Sequence, residues 1–281
     1  MVGGRLEPDI TRSLDPADPV GTIEQVYRTV ARGRVIGRAG IGLPGVLAPA
    51  DGRLTRAQNL PALAACDVPA ALSALLGVPL AFDNDVALSV VAERWRGCAQ
   101  GIEDVAVLSL GTGVGAGIVS GGRLLRGAHG AAAEVADLPW LGDLDDAAVR
   151  AQGPLEWALG TAGLRRRYCA LGGQLTSDSG AAPILAADDH AAVQVLEEFT
   201  DGVARVVLTL RAVLDPALVV LTGGIGAQPR IVEAVRTRLE RVGVDAPRVA
   251  VAALGDRAPL VGAAALALGV VEPWVEVSAS G

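Results

Sequence analysis

Val105-Ala106-Val107-Leu108-Ser109-Leu110-Gly111-Thr112-Gly113-Val114-Gly115-Ala116-Gly117-Ile118-Val119-Ser120-Gly121-Gly122-Arg123-Leu124-Leu125 organises the whole chain. The run reads as strand, glycine-rich turn, strand. Val105, Val107 and Ser109 fall on one face of the first strand and Ala106, Leu108 and Leu110 on the other. Both faces are largely apolar, which predicts a strand buried on both sides. Gly111, Gly113, Gly115 and Gly117 alternate with Thr112, Val114 and Ala116, and Gly121-Gly122 suits a tight hairpin reversal. So many glycines cost chain entropy. In return, backbone N–H groups can approach an anion, with the Thr112 hydroxyl beside them. Taken alone, the run fits a simple glycine-rich bend equally well.

The surrounding chain has 281 residues, 51% of them apolar and 20% charged, enough for two domains with substantial cores. A net charge of −7 argues against a nucleic-acid surface. All 24 basic residues are arginine. A Walker A lysine and a Schiff-base lysine are therefore excluded. Cys66, Cys98 and Cys169 are widely spaced, which fits small buried hydrophobes in a reducing compartment. With no signal peptide and no apolar span of membrane length, the expected location is the cytoplasm, with no membrane partner.

Working outward, Met1 to Glu7 reads as a short strand, and Thr22 with Gln25 as a capping box. That box would open a helix burying Ile23, Val26, Tyr27 and Val30. Val35 to Leu43 is strand-like and ends in Gly42-Leu43-Pro44-Gly45. Asn59-Leu60-Pro61 is a loop, 68–76 a helix, and Pro79 to Phe82 a short buried strand. Asn84-Asp85 then opens a helix with Leu88, Val91 and Trp95 inward. One helix is expected at 155–171. A long helix follows, with Val193, Leu196, Phe199, Val203, Val206, Leu210 and Val213 on one face. Leu218 to Thr222 is a buried strand ending in Gly223-Gly224-Ile225-Gly226. Next come a helix with Pro229 in its first turn, a strand at 248–253 and an alanine-rich helix at 259–269. Strand and helix alternate, so the class is α/β.

Arg126-Gly127-Ala128-His129-Gly130-Ala131-Ala132-Ala133-Glu134-Val135, taken with the glycine loop, resembles the second phosphate loop and sugar loop of the ROK family (repressors, open reading frames and sugar kinases, also called NagC/XylR). The resemblance is close over 79–139 and weaker from about 20 to 268. It implies a two-lobed actin/hexokinase-like (ribonuclease H-like) fold. The lobes would be 1–103 and 104–281, with the last helix packing back on the first lobe and a hexose or amino-hexose bound in the interlobe cleft. It also implies a homodimer.

By position alone, Asn84-Asp85 could be a helix N-cap or a carboxylate placed to take a proton from a bound hydroxyl. The resemblance makes Asp85 the catalytic base and Asn84 a sugar ligand, although the family's second Asn is Ala87 here. Glu134 matches the glutamate of the family's Glu-x-Gly-His sugar motif, but the histidine, also a zinc ligand in that family, is Asp137. The zinc-type cysteine motif is reduced to Gly153-Pro154-Leu155-Glu156, so no zinc is expected, while Glu156 is implied to face the sugar. Gly45, Asn84, Asp85, Glu134, Asp137 and Glu156 form the implied sugar set. Gly111, Thr112, Gly113, Gly115, Gly223 and Gly224 form the implied nucleotide set, for ATP with Mg2+. His129 reads as structural.

Kinases of the family open with Asp-x-Gly-Gly-Thr-Lys. Gly3-Gly4 lacks both flanks of that motif, so the first lobe is expected to miss its first hairpin, and no DNA-binding domain is expected in this chain. Two readings follow. The preferred one is a regulatory, sugar-recognising protein with little turnover. The alternative is an ATP-dependent, glucokinase-like sugar kinase.

Overall fold

The computed structural model describes residues 9–48, 53–57, 60–243 and 245–278. The expected strand at Met1 to Glu7, the Gly3-Gly4 pair and Asn59 lie outside the described residues. The chain forms two compact units. One holds residues up to Val91, Arg126–Ala132 and the chain from Pro259 on; the other holds Ala92–Leu125 and Ala133–Ala258. Among the described residues, no helix is long and apolar enough to cross a membrane.

In the first unit, α1 (Pro19–Ala31) is capped by Asp18, whose carboxylate accepts the Gly21 N–H at 2.9 Å. The expected Thr22/Gln25 box is therefore corrected. Asp18 followed by Pro19 makes a better start, and Thr22 sits buried inside the helix, its hydroxyl donating to the Asp18 carbonyl. Val30, expected inward, is exposed. Strand β1 (Ala39–Leu43) starts later than expected, and Val35 is 100% exposed. A small antiparallel ribbon joins β2 (Val46–Leu47) to β3 (Leu54–Thr55). Helices α2 (Pro61–Ala64) and α3 (Val68–Leu76) follow, α3 between an Asp67 cap and a left-handed Gly77. Strand β4 (Leu80–Asn84) runs parallel to β1, Ala39 facing Leu80 and Leu43 facing Asn84. It passes directly into α4 (Asp85–Arg96).

The second unit is built on β5 (Val105–Leu110), β6 (Val114–Ser120) and β7 (Arg123–Leu124). The expected strand, glycine turn, strand and Gly121-Gly122 hairpin are all present, with φ of 54° and 77° at the two hairpin glycines. Then come α5 (Ala147–Gln152), α6 (Pro154–Leu159), α7 (Thr161–Ala170), α8 (Ala182–Ala186) and α9 (His190–Leu214). The single helix expected at 155–171 is two helices, because Gly160 is extended at φ −71°, ψ 163°. Val195, Phe199, Val203, Val206 and Leu210 of α9 are buried, whereas Val193 and Val213 are exposed, Val213 by 74%. Helical rotation explains this: each lies ten residues from Val203, roughly 80° off the centre of the stripe at 3.6 residues per turn.

Strand β8 (Leu218–Thr222), the short α10 (Gly223–Gly226), α11 (Pro229–Val242) and β9 (Arg248–Val251) complete a sheet of order β7-β6-β5-β8-β9. Strands β5, β8 and β9 are mutually parallel. The chain re-enters the first unit with α12 (Ala258–Ala267) and β10 (Val275–Val277), a strand with no sequence expectation behind it. It pairs antiparallel with β4, making β4 the centre of the order β1-β4-β10. Gly262 lets α12 press onto α4: a Cβ there would stand 2.0 Å from the Leu88 carbonyl.

Candidate functional site

Asn84 and Asp85 lie where β4 ends, and Gly111, Thr112, Gly113, Gly223 and Gly224 follow the carboxyl ends of β5 and β8, while Gly115, Glu134, Asp137 and Glu156 lie elsewhere in the second unit. In the first unit the group is built where β4 becomes α4. The Asn84 side-chain carbonyl accepts the N–H groups of Val86 and Ala87, each at 2.9 Å. Its amide donates to the Gly45 carbonyl at 3.0 Å. Asn84 is therefore a helix cap and also a clasp on the loop after β1. That loop needs its glycine: Gly45 has φ +85°, and a Cβ would stand 2.4 Å from the Thr55 carbonyl.

Asp85, the first residue of α4, accepts the Val86 N–H at 2.8 Å. Burial pushes its carboxyl above the ordinary carboxylate range, and the neighbouring backbone N–H groups only partly oppose this. A carboxylate tuned this way holds a proton more readily than a solvated one, the property a general base needs.

Asp83, just before this pair, was not singled out from sequence. It is almost fully buried, and its Oδ2 accepts from Arg126 Nε at 3.1 Å and from a terminal guanidinium nitrogen at 2.7 Å. Burial pushes Asp83 upward too, opposed chiefly by the Arg126 charge. Arg126 also donates to the Glu272 carbonyl. Trp274 donates its indole N–H to the Leu47 carbonyl at 2.7 Å and packs against Gly130, where a Cβ would be 2.9 Å from the ring. The run 126–132 is thus fastened within the first unit by one ion pair and one indole. The sequence signal was a lone carboxylate at the end of an apolar strand.

In the second unit, β5 and β8 end side by side, Ser109 facing Thr222. This places Gly111 beside Gly224, whose N is 3.5 Å from where a Gly111 Cβ would be. Gly223 has φ +82°, and a Cβ there would stand 2.5 Å from the Leu110 carbonyl. Gly111, Thr112, Gly113, Gly223 and Gly224 therefore meet at one sheet end, with Thr112 exposed at the tip of the turn. Gly115 lies inside β6 opposite Ser109, one step into the ladder.

The turn is held from outside by the α6–α7 junction. Glu156 Oε2 accepts the Val114 N–H at 3.1 Å. Thr161 donates its hydroxyl to the Gly111 carbonyl at 2.8 Å, and its N–H to the same oxygen at 3.0 Å. Thr161 had no local signal, since its partner lies fifty residues earlier. Glu134 precedes a single 3-10 turn, Val135–Asp137, and Asp137 is exposed at its end. Gly153 abuts that turn: a Cβ would be 2.6 Å from the Ala136 carbonyl.

Among the described residues, no group of three or more His, Cys, Asp or Glu side chains is placed to hold a metal ion. A groove of about 1040 Å³ in the second unit lies along α9 and α11, where Asp201 bridges Arg205 and Arg238, and none of the candidate residues lines it.

Known proteins resemble this chain over most of its length. A β-glucoside kinase of Listeria monocytogenes is 27% identical over 230 residues, covering 79% of this chain and 76% of that protein. The N-acetylgalactosamine kinase AgaK of a Shewanella species is 29% identical over 248 residues, covering 83% and 79%. Among solved structures, the ROK hexokinase of Thermus thermophilus superposes with a TM-score of 0.76 at 28% identity, over 89% of this chain and 85% of that one. A ROK family transcriptional regulator shares the fold, with a TM-score of 0.71 at 22% identity. The ROK family model matches residues 18–270, and with most of its length accounted for in this way the chain belongs to the ROK family.

Proposed function

We propose that this chain is an ATP-dependent carbohydrate kinase acting on a hexose or amino-hexose. The observation that carries the reading is Asp85, a half-buried carboxyl at the mouth of α4 that desolvation pushes up in pKa, beside an Asn84 already locked in place. Gly45, Asn84 and Asp85 hold the sugar in the first unit; Glu134 and Asp137 are assigned to the sugar on the family resemblance. Gly111, Thr112, Gly113, Gly223 and Gly224 hold the nucleotide in the second, with Gly115 supporting the turn. Mg2+ bound with ATP would supply charge neutralisation of the phosphates. The sugar hydroxyl oxygen attacks the γ-phosphorus as its proton passes to Asp85. The bond to the β,γ-bridging oxygen breaks, and ADP leaves.

A second reading is favoured by Asp137 and Pro154, which stand where zinc-type members of the family carry His and Cys. It is a regulatory protein that binds sugar without turnover. An ADP-release assay with glucose, mannose, N-acetylglucosamine and N-acetylmannosamine separates the two. Sugar-dependent ADP release supports the kinase. Calorimetric sugar binding with no ADP release supports the regulator. Absence of both refutes the sugar site itself.

A further inference from the structure

After α12 the chain returns to the first unit and touches both loops beside the Asn84 corner. Residues 272–277 lie beyond the stretch matched to the family, 18–270. Strand β10 pairs with β4, Val275 facing Phe82, and Glu276 forms an ion pair at 2.6 Å with Arg38, the residue before β1. The Trp274 backbone N–H donates to the Phe82 carbonyl at 3.2 Å. Two residues earlier, the Glu272 carbonyl accepts from Arg126.

Trp274 is a clasp between two loops far apart in sequence. Its indole N–H donates to the Leu47 carbonyl at 2.7 Å. The N–H of that same peptide unit, on Ala48, donates to the Arg53 carbonyl at 2.8 Å. The segment 45–47 is therefore pinned at both ends, at Gly45 by the Asn84 amide and at Leu47 by the indole. The ring also covers Gly130, which has φ +72° and where a Cβ would stand 2.9 Å from three ring atoms. Only glycine meets both demands. The turn around Gly130 is closed by the Ala132 N–H on the Arg126 carbonyl at 3.0 Å. Strands β2 and β3 have two residues each, and 126–132 contains no helix or strand. The position of both loops must therefore come from outside them. A loop already in place costs a ligand no ordering, whereas a released one must be ordered again on binding.

We propose that Trp274 is a positioning residue of the sugar corner, setting sugar affinity by fixing 45–47 and 126–132 and leaving nucleotide affinity untouched. This rests on the kinase reading only in taking Gly45, Asn84 and Asp85 as the sugar side of the site. Calorimetry on the full chain measures binding of each of the four sugars above, and separately of Mg2+–AMPPNP. The variants are Trp274→Phe, Trp274→Ala, Gly130→Ala and the double Trp274→Ala/Gly130→Ala. Trp274→Phe keeps a ring over Gly130 but has no donor for Leu47, and should weaken sugar binding about fivefold, the order of one hydrogen bond. Trp274→Ala should weaken it about twentyfold, with nucleotide binding within about twofold of wild type in both. Gly130→Ala drives a methyl group into the ring. It should weaken sugar binding about fivefold in wild type and less than about twofold in the Trp274→Ala background. General loss of stability would produce neither the split between ligands nor this non-additivity.

The second arm is hydrogen exchange without ligand. Protection of the Ala48 amide should fall in Trp274→Phe, and that of both the Ala48 and Ala132 amides in Trp274→Ala. Sugar affinity unchanged in a folded Trp274→Ala, or lost in step with nucleotide affinity, would overturn the proposal. Unaltered exchange at Ala48 and Ala132 would do the same. A wild type that binds nucleotide but none of the sugars would remove the sugar role and the sugar site together. The exchange result would still decide whether the clasp exists.

Discussion

At the carboxyl end of β4, three consecutive side chains are tied down one by one, Asp83 buried and Asn84 and Asp85 half-buried. At the carboxyl ends of β5 and β8 there is scarcely a side chain: Gly111, Gly113, Gly223 and Gly224 leave backbone alone, with Thr112 at the tip. The first corner is made of charge in a dry place, and its energetics are those of desolvation. Asp83 is held there by Arg126, whereas Asp85 carries its burial penalty with only backbone N–H groups in compensation. The second corner is made of space, and its energetics are those of close contact and left-handed backbone. The two should therefore fail in different ways, the first when a charge is unbalanced and the second when a Cβ is added.

The largest expected effect tests the charged corner. Asp85→Asn should lower sugar-dependent ADP release by about a hundred- to ten-thousand-fold, the usual contribution of a general base, while sugar binding survives. Stability should move the other way. A raised folded-state pKa stabilises the protein below the unfolded pKa, and that stability is lost as pH rises through the folded pKa. Asn carries no such dependence, so the variant should gain on wild type as pH rises from the ordinary carboxylate range toward neutrality. Chemical denaturation at several pH values measures this, and a variant that loses ground with rising pH would contradict the burial argument.

Next comes Arg126→Met, which strands the Asp83 carboxylate without its partner. A cost of about 3–5 kcal/mol at neutral pH is expected, as for other broken buried pairs. Adding Asp83→Asn should recover most of it. A cost below about 1 kcal/mol would mean that Asp83 is solvated and the corner is not dry.

The backbone-built corner should respond instead to Gly223→Ala. Its φ of +82° and the 2.5 Å approach to the Leu110 carbonyl predict a loss of about 2 kcal/mol. Mg2+–AMPPNP binding should weaken with it, and sugar binding should be spared. Equal damage to both ligands would erase the distinction between the corners.

The smallest effect is a gain. Ala133, just before Glu134, has φ +69°, a conformation that alanine adopts only under strain. Ala133→Gly should stabilise the protein by about 1 kcal/mol, less whatever glycine costs in unfolded-chain entropy, seen as a raised melting temperature.

Much of this layout was legible beforehand. The β5–turn–β6 run, α3, β8 and the opening of α4 at Asn84-Asp85 were all written in local pattern. Apolar alternation, turn glycines and capping residues act within a few positions of where they sit. The misreadings were also local. Thr22/Gln25 lost to Asp18-Pro19, a stronger start whose cap lies four residues earlier, and the helix expected at 155–171 is broken at Gly160. The stripe on α9 was extended past the point where helical rotation carries it off the core.

The sequence by itself therefore determined the elements, the α/β class, the glycine turn and the family resemblance, because each depends on neighbours along the chain. Only the tertiary structure decided that Asp83 meets Arg126, that Trp274 closes over Gly130, and that Glu156 and Thr161 grip the glycine turn after β5. Those partners are separated by 43, 144, 42 and 50 residues, and β10 joins β4 from the far end of the chain. Such contacts arise when strands are brought into register, and no local pattern encodes which carboxylate will find a guanidinium and which will be left to the backbone.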